Sequence, residues 1–459
     1  MRTIRKAMTN HRRLQQSRRL IVLMIAISVT GINASRGSVV ATSTLAQSTI
    51  VLQTTEVPTL TGTFQVVNNG PGNQTNPHVS CDLASYTNID EFTGQSTLHY
   101  WNFATGIDSV IPGNDIDLLS DVSDGRIAFT EVHEDGDHVI VYDTVSQTST
   151  LIPGAGESNP AINGNLVAFE DRSFAGNQTE ISTYDLSTGI VTRLTNDALF
   201  DRNPSVSPTG NALVWEKCQT DGAGCDIYSA IQTSPGVFTT RALTGAAGED
   251  RLPDTNGQTV VYTSNRGGET DIYFQPIEGG AETQLSIPGN QRDVTISGNL
   301  IAFESQVQLV GTTEYDVFVY DLSTGNLYQV TNTPGVDEAP SDITVCNGIG
   351  RIVYAVPGAG NFDVYAFRFQ APSSTPNQIT DLIALVQSLN LPGGTANSLI
   401  TKLQDALAAI GASDTATACD SVTAFINECQ AQSGKKLTAD QANHLINSAT
   451  QIKTDLGCQ

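Results

Sequence analysis

Between Gly125 and Arg351 one phrase recurs six times: a Gly or Asn turn, a short strand that ends on an aromatic residue, a polar loop, and a second strand that often closes on Tyr-Asp. The strand openings are Gly125-Arg-Ile-Ala-Phe129, Gly164-Asn-Leu-Val-Ala-Phe169, Gly210-Asn-Ala-Leu-Val-Trp215, Gly257-Gln-Thr-Val-Val-Tyr262, Gly298-Asn-Leu-Ile-Ala-Phe303 and Gly350-Arg-Ile-Val-Tyr354. Successive glycines are 39, 46, 47, 41 and 52 residues apart, bracketing the ~40 to 50 residues of a four-stranded propeller blade. A row of such units implies an all-β propeller.

The ends of the row predict how it closes. Residues 337 to 369 supply only three strands and lack the outer one. The segment from Thr63 (Thr-Phe-Gln-Val-Val-Asn) reads like the one from Leu327 (Leu-Tyr-Gln-Val-Thr-Asn), an outer strand leading into the next blade. The N-terminal segment is therefore expected to complete the last blade and hide an edge that would otherwise template aggregation. Counting residues 76 to 113 as a first blade gives seven, with six as the alternative.

Residues 1–47 carry eight Arg or Lys and no acid, then an apolar run from Leu20 to Val29, then small residues ending Thr44-Leu45-Ala46. That is the order of a secretory signal, and the run is too short for a bilayer, which takes ~20 residues. The chain is expected to be exported to periplasm, cell surface or medium, without stable membrane insertion once the leader is cut. The remaining 15 basic residues face 47 acidic ones, a formal charge near −32, which repels nucleic acid.

Seven cysteines in an exported chain predict disulfides and one leftover thiol. Cys218 and Cys225 flank a loop between two strands and would staple a hairpin. Cys81 and Cys346 hold equivalent positions in the repeat, in blades that become neighbours on closure, so their bridge would lock the seam, an effect of ~4 to 5 kcal/mol. Cys419 and Cys429 are ten residues apart on one helix and cannot meet. Cys458 is expected to take Cys419, leaving Cys429 as a buried thiol. In Tyr184-Asp-Leu-Ser-Thr-Gly189 and Tyr320-Asp-Leu-Ser-Thr-Gly325 the aspartate and glycine read as hairpin turn residues, and prolines 77, 160, 204, 253 and 340 read as the starts of inner strands.

Leu194-Thr-Asn, Asn203-Pro-Ser-Val-Ser-Pro-Thr-Gly210 and Asp226-Ile-Tyr228, with a second copy ending Asp271-Ile-Tyr273, resemble the TolB-like, WD40-like propeller repeat. The resemblance spans about residues 60 to 369. It implies the fold, whereas function varies among such propellers. After the linker at 371–378, four amphipathic helices follow in 379–459. Ala424-Phe-Ile-Asn427, Ser433-Gly-Lys-Lys-Leu-Thr438 and Leu456-Gly-Cys458 resemble the FIMAH-type C-terminal module of bacterial surface proteins, which implies an accessory, non-catalytic role.

No catalytic constellation stands out: no Gly-x-Ser-x-Gly elbow occurs. His133-Glu-Asp-Gly-Asp-His138 is expected to form a hairpin on a two-residue Asp135-Gly136 turn, with His133 opposite His138 as a weak candidate metal clamp against the plainer reading of a polar loop tip. His78, on an inner strand, is the other metal candidate, because oligogalacturonate lyases are similar propellers with an axial metal. Acids before each inner strand (Asp115, Asp117, Glu157, Asp201, Asp250, Asp293 and Asp337) are expected to gather around one channel mouth and attract a cation or basic peptide. Inter-blade ion pairs and turn caps are the competing account. These readings converge on a binding protein without cofactor, directed at a protein or cell-envelope polysaccharide. The alternative is a carbohydrate-active propeller enzyme on anionic sugars.

Overall fold

In a computed structural model of the chain, residues 47–51, 57–113, 116–173, 178–220, 222–306, 314–358, 361–371, 375–389, 391–412, 414–456 and 458 are described. The expected leader up to residue 46, and Asp115, lie outside them. Two N-terminal strands, β1 (Gln47–Val51) and β2 (Gly62–Asn68), precede the first blade. Blade 1 is β3 (Asn73–Ser80), β4 (Leu83–Ile89), β5 (Ser96–Asn102) and β6 (Ile107–Val110); blade 2 is β7 (Asp117–Ser123), β8 (Arg126–Val132), β9 (Asp137–Asp143) and β10 (Thr148–Leu151). Blade 3 is β11 (Glu157–Asn163) to β14 (Ile190–Arg193), and blade 4 is β15 (Phe200–Val206) to β18 (Val237–Ala242). Blades 5 and 6 are β19 (Asp250–Thr255) to β22 (Glu282–Ser286) and β23 (Gln291–Ser297) to β26 (Asn326–Gln329). Blade 7 joins β27 (Ala339–Cys346), β28 (Ile349–Pro357) and β29 (Phe362–Gln370) to β2. The fold is thus a seven-bladed β-propeller, and each inner strand meets the next around the ring, β27 against β3 included.

The second strand of each blade is apolar without alternation because neighbouring blades cover both of its faces. Leu166–Asp171 and Leu300–Ser305 are buried at every position. Between blades 7 and 1 the same kind of packing is made by Val67, Val79, Ala84, Tyr86, Val353, Val364 and Ala366.

Closure follows the sequence expectation. β2 runs antiparallel to β29, with Phe64 opposite Phe367 and Gly62 opposite Phe369. The rings of Phe367 and Phe369 stack 5.7 Å apart over two glycines. A Cβ on Gly62 would lie 2.3 Å from Phe367, and one on Gly350 2.2 Å from Phe369, so neither position accepts a side chain while the rings stay in place. Cys81 is bonded to Cys346 across the seam, where Arg351 also donates to the Cys81 carbonyl at 2.8 Å and reaches Asp82 at 2.6 Å.

The strap before β2 was not legible. β1 pairs in parallel with β22, from Gln47 opposite Glu282 to Val51 opposite Ser286. Leu60 donates to the Gln329 carbonyl at 2.8 Å, and Gln329 to that of Pro58 at 3.0 Å. The N-terminal segment therefore covers the outer edges of blades 5, 6 and 7 in turn, burying backbone groups that an open edge strand would expose.

Two local expectations change. The prolines at 77, 160, 204 and 253 lie inside the inner strands, not at their starts, each directly after a residue with positive φ: Asn76 (50°), Asn159 (52°), Asn203 (50°) and Leu252 (51°). Leu119 (51°) and Asp293 (48°) complete the set. Each marks a bulge, visible as a register shift within the strand pair of blades 1 to 6, with a matching shift at Pro340/Asp342 in blade 7. A proline is tolerated there because the bulge already removes a ladder bond. The β8–β9 hairpin closes on four residues, His133 to Gly136, since Val132 pairs with Asp137 and Glu131 with His138. His133 therefore does not stand opposite His138. The turn aspartates behave as expected: the Asp185 carboxylate accepts from Ser187 and Thr188 N–H, and that of Asp321 from Ser323 N–H.

The helical unit comprises α1 (Thr375–Ser388), α2 (Gly393–Gly411), α3 (Thr415–Gln432) and α4 (Ala439–Asp455). α1 begins inside the stretch expected as linker. Its core joins Ile379, Leu382, Leu399, Leu403, Val422, Phe425 and Leu445. Thr438 and Gln441 cap α4 reciprocally, at 2.9 and 3.1 Å. Cys419 is bonded to Cys458, and Cys429 is a buried thiol pushed up to about 12 by its surroundings. No helix among the described residues is long and apolar enough to cross a membrane.

Candidate functional site

Two belts of side chains, four residues apart along each inner strand or its entry, organise the propeller interior. The first belt is Gln74, Asp117, Glu157, Asp201, Asp250, Gln291 and Glu338, each at most 2% exposed. The second is His78, Asp121, Ala161, Ser205, Asp254, Thr295 and Asp342, and all seven line a channel cavity of about 400 Å³. In an unbroken strand residues four apart would share a face. The bulge between them inserts one residue and reverses the alternation, so the first belt turns into the protein while the second faces the channel.

This corrects the expectation for the mouth. Asp117, Glu157, Asp201 and Asp250 are buried, not displayed, and none lines the cavity. Asp201 accepts from the Trp215 indole at 2.7 Å and lies 3.2 Å from the Lys217 ammonium. Asp250 is held by Arg266 at 2.8 Å. Burial raises the pKa of Glu157 and Asp201, and Lys217 pulls Asp201 back. Asp337 is exposed and accepts from Tyr315 N–H at 2.9 Å. Asp293, at its bulge, lines the cavity.

The cavity instead opens along the later half of the inner strands and their turns into the second strands. Among the described residues its carboxylates are Asp121, Asp124, Asp254, Asp293 and Asp342, its single histidine is His78, and no Lys or Arg lines it. Three of the aspartates also clip blades together by one rule. Asp121, Asp254 and Asp342 each accept the N–H of the following residue, at 2.7, 2.8 and 2.7 Å. Each also accepts an N–H from the next blade: Ile162 at 2.8 Å, Ile296 at 2.7 Å and Val79 at 2.9 Å. Bonds to a charged acceptor contribute about 1.5–3 kcal/mol each. Burial pushes the Asp121 carboxyl up to about 6, with His78 opposing and Asp342 adding to the shift. Burial also raises Asp254, offset by the Ser205 hydroxyl.

The β8–β9 hairpin brings its histidines into edge-to-face contact, ring centres 5.0 Å apart. His133 Nε2 sits 2.6 Å from Glu131, and His138 reaches Asp135 at 3.4 Å and Glu157 at 4.0 Å. They bind separate carboxylates and do not converge. Sequence reasoning missed Asp121, Asp254 and Asp342; the signal was present as an acid or Gln followed four residues later by a short polar residue in most repeats.

No family model matches the chain, and no curated protein does. Solved structures do. The β-propeller domain of the trilobed protease from Pyrococcus furiosus, described as an open velcro topology, aligns with TM-score 0.51 and 11% identity over 66% of this chain and 99% of that one. A puromycin-hydrolyzing peptidase of Mycobacterium tuberculosis aligns with TM-score 0.48 and 14% identity, over 65% of this chain and 53% of the peptidase. TolB from Acinetobacter baumannii aligns with TM-score 0.36 and 19% identity, over 64% and 81%. At these identities the likeness to the trilobed protease domain concerns the fold alone.

Proposed function

We propose that the chain is an exported, non-catalytic binding propeller of the TolB-like type, with a FIMAH-type helical module, and that it engages a protein or cell-envelope ligand through cationic groups at the channel. The observation that carries this reading is the cavity lining: among the described residues, five carboxylates and no Lys or Arg. A concave wall with one sign of charge focuses potential and raises the local concentration of the opposite charge. The three bonded disulfides are consistent with an oxidising, extracytoplasmic setting.

The test is binding of a fluorescent oligolysine peptide to the full mature chain, followed by anisotropy across a salt series. Affinity should fall steeply with salt, drop several-fold in Asp254→Asn, and be absent for an oligoglutamate peptide. Equal binding of both peptides, or binding indifferent to salt, overturns the reading.

A further inference from the structure

The channel belt is bonded along one arc only, since Ala161 carries no polar group and His78 stands between two carboxylates. From blade 4 to blade 7 neighbouring belt groups bond directly: Ser205 to Asp254 at 2.6 Å, Asp254 to Thr295 at 2.8 Å, Thr295 to Asp342 at 3.2 Å. His78 lies between Asp121 and Asp342. Its Nδ1 stands 3.6 Å from Asp121 Oδ1 and 3.7 Å from Asp342 Oδ2, and ligand atoms of the three residues all lie within 4.8 Å of one another. The two distances from Nδ1 are too long for hydrogen bonds. They are close to what a tetrahedral ion imposes, since metal–N and metal–O bonds of about 2.0–2.2 Å put ligand atoms roughly 3.3–3.6 Å apart.

We propose that blades 7, 1 and 2 together hold a divalent cation, Zn²⁺ by geometry, through His78 Nδ1, Asp121 Oδ1 and Asp342 Oδ2, with a fourth position open to the channel. Two carboxylates balance the charge of the ion, and one imidazole with two carboxylate oxygens is a donor set that zinc accepts. The oxygens are already aimed: Val122 N–H donates to Asp121 Oδ1 at 2.7 Å and Val79 N–H to Asp342 Oδ2 at 2.9 Å, while Ile162 and Ile343 hold the other oxygen of each carboxylate. Backbone donors of this kind fix ligand orientation in metal sites. Every one of these contacts comes from an inner strand, so the site exists only once the ring has closed. The other group of potential ligands, Glu216 with Cys218 and Cys225, is spent, because its cysteines are bonded to each other.

This inference rests on reading the channel as the binding face, yet it fails separately. Isothermal titration of the chelator-treated full chain with ZnCl₂, and with MnCl₂ as a second arm, should show one site per chain. His78→Ala should weaken it by at least about 10-fold, while His133→Ala/His138→Ala leaves it unchanged. X-ray absorption at the zinc edge of the wild-type chain should show a single imidazole with oxygen ligands, a readout that needs no variant to fold. Absence of stoichiometric binding, binding that survives in His78→Ala, or a spectrum with two or more imidazoles overturns the site. Oligolysine binding without metal binding overturns the ion alone; metal binding without oligolysine binding overturns the peptide reading alone.

Discussion

Removing the seam disulfide in the double variant Cys81→Ala/Cys346→Ala measures how far ring closure depends on a covalent link. The two cysteines are 265 residues apart, and a loop of that length confines the unfolded chain by about 19 cal/mol/K, or about 5.6 kcal/mol at 25 °C, somewhat above the ~4 to 5 kcal/mol expected from the sequence. The hairpin disulfide Cys218–Cys225 spans 7 residues, for which the same relation gives about 8 cal/mol/K, or about 2.4 kcal/mol. For a propeller of roughly 300 residues the unfolding entropy is on the order of 0.6 kcal/mol/K, so the expected losses in Tm are about 9 °C and about 4 °C. The seam variant should still fold, because β2 remains paired with β29 and the apolar cluster of Val67, Val79, Tyr86, Val353 and Val364 is untouched. Thermal unfolding followed by circular dichroism, on both double variants in the full chain, checks the order. A seam variant that loses no more than Cys218→Ala/Cys225→Ala would refute the argument that the long loop sets the magnitude.

Gly350→Ala should destabilise the propeller by about 1–3 kcal/mol in urea unfolding, as overpacked sites do, because its Cβ would displace the Phe369 ring; a neutral result would show that the ring moves freely. Lys217→Met should cost about 3–5 kcal/mol by leaving Asp201, fully buried, without its ammonium, and the companion Asp201→Asn should recover part of that loss. Burial pushes Glu338 up to about 7 and Asp316 to about 6; Asp316 raises Glu338 further, while the hydrogen bond with Glu338 pulls Asp316 back. Both lie above their unfolded values, so the protonated forms favour the fold: stability should be greatest below about pH 4.5 on their account and fall as pH rises through 7. Glu338→Gln should flatten that decline in a pH series of melting temperatures, and glutamine already occupies the equivalent belt position at Gln74 and Gln291.

Much of the architecture was legible because it repeats. The glycine turn followed by a short apolar run ending on an aromatic marks a strand packed on both faces, and its spacing marks the blade. The missing outer strand after Phe369 and the spare strand at Thr63 together required closure, and equivalent positions in the repeat paired Cys81 with Cys346. The parallel pairing of β1 with β22 was hidden because an edge strand offers the same backbone groups to any extended segment, and Gln47–Val51 carries no pattern that selects blade 5. The hairpin at His133 was misjudged by two residues, since Asp135-Gly136 suits a short turn yet the buried side chains of β8 and β9 fix the register at Val132 and Asp137.

The acids show most clearly where one-dimensional reading stops. By itself the sequence determined that carboxylates and glutamines recur at the head of each inner strand, that the chain is strongly acidic, and that six or seven like units must form a ring. Only the tertiary structure decided which of those acids meet solvent. A single bulged residue, held at positive φ in six of the seven inner strands, reverses the side-chain alternation, sends Asp117, Glu157, Asp201 and Asp250 into the blades, and turns Asp121, Asp254 and Asp342 to the channel. Contacts between residues more than 200 positions apart, such as His78 with Asp342, then arise from closure alone, which no local pattern encodes.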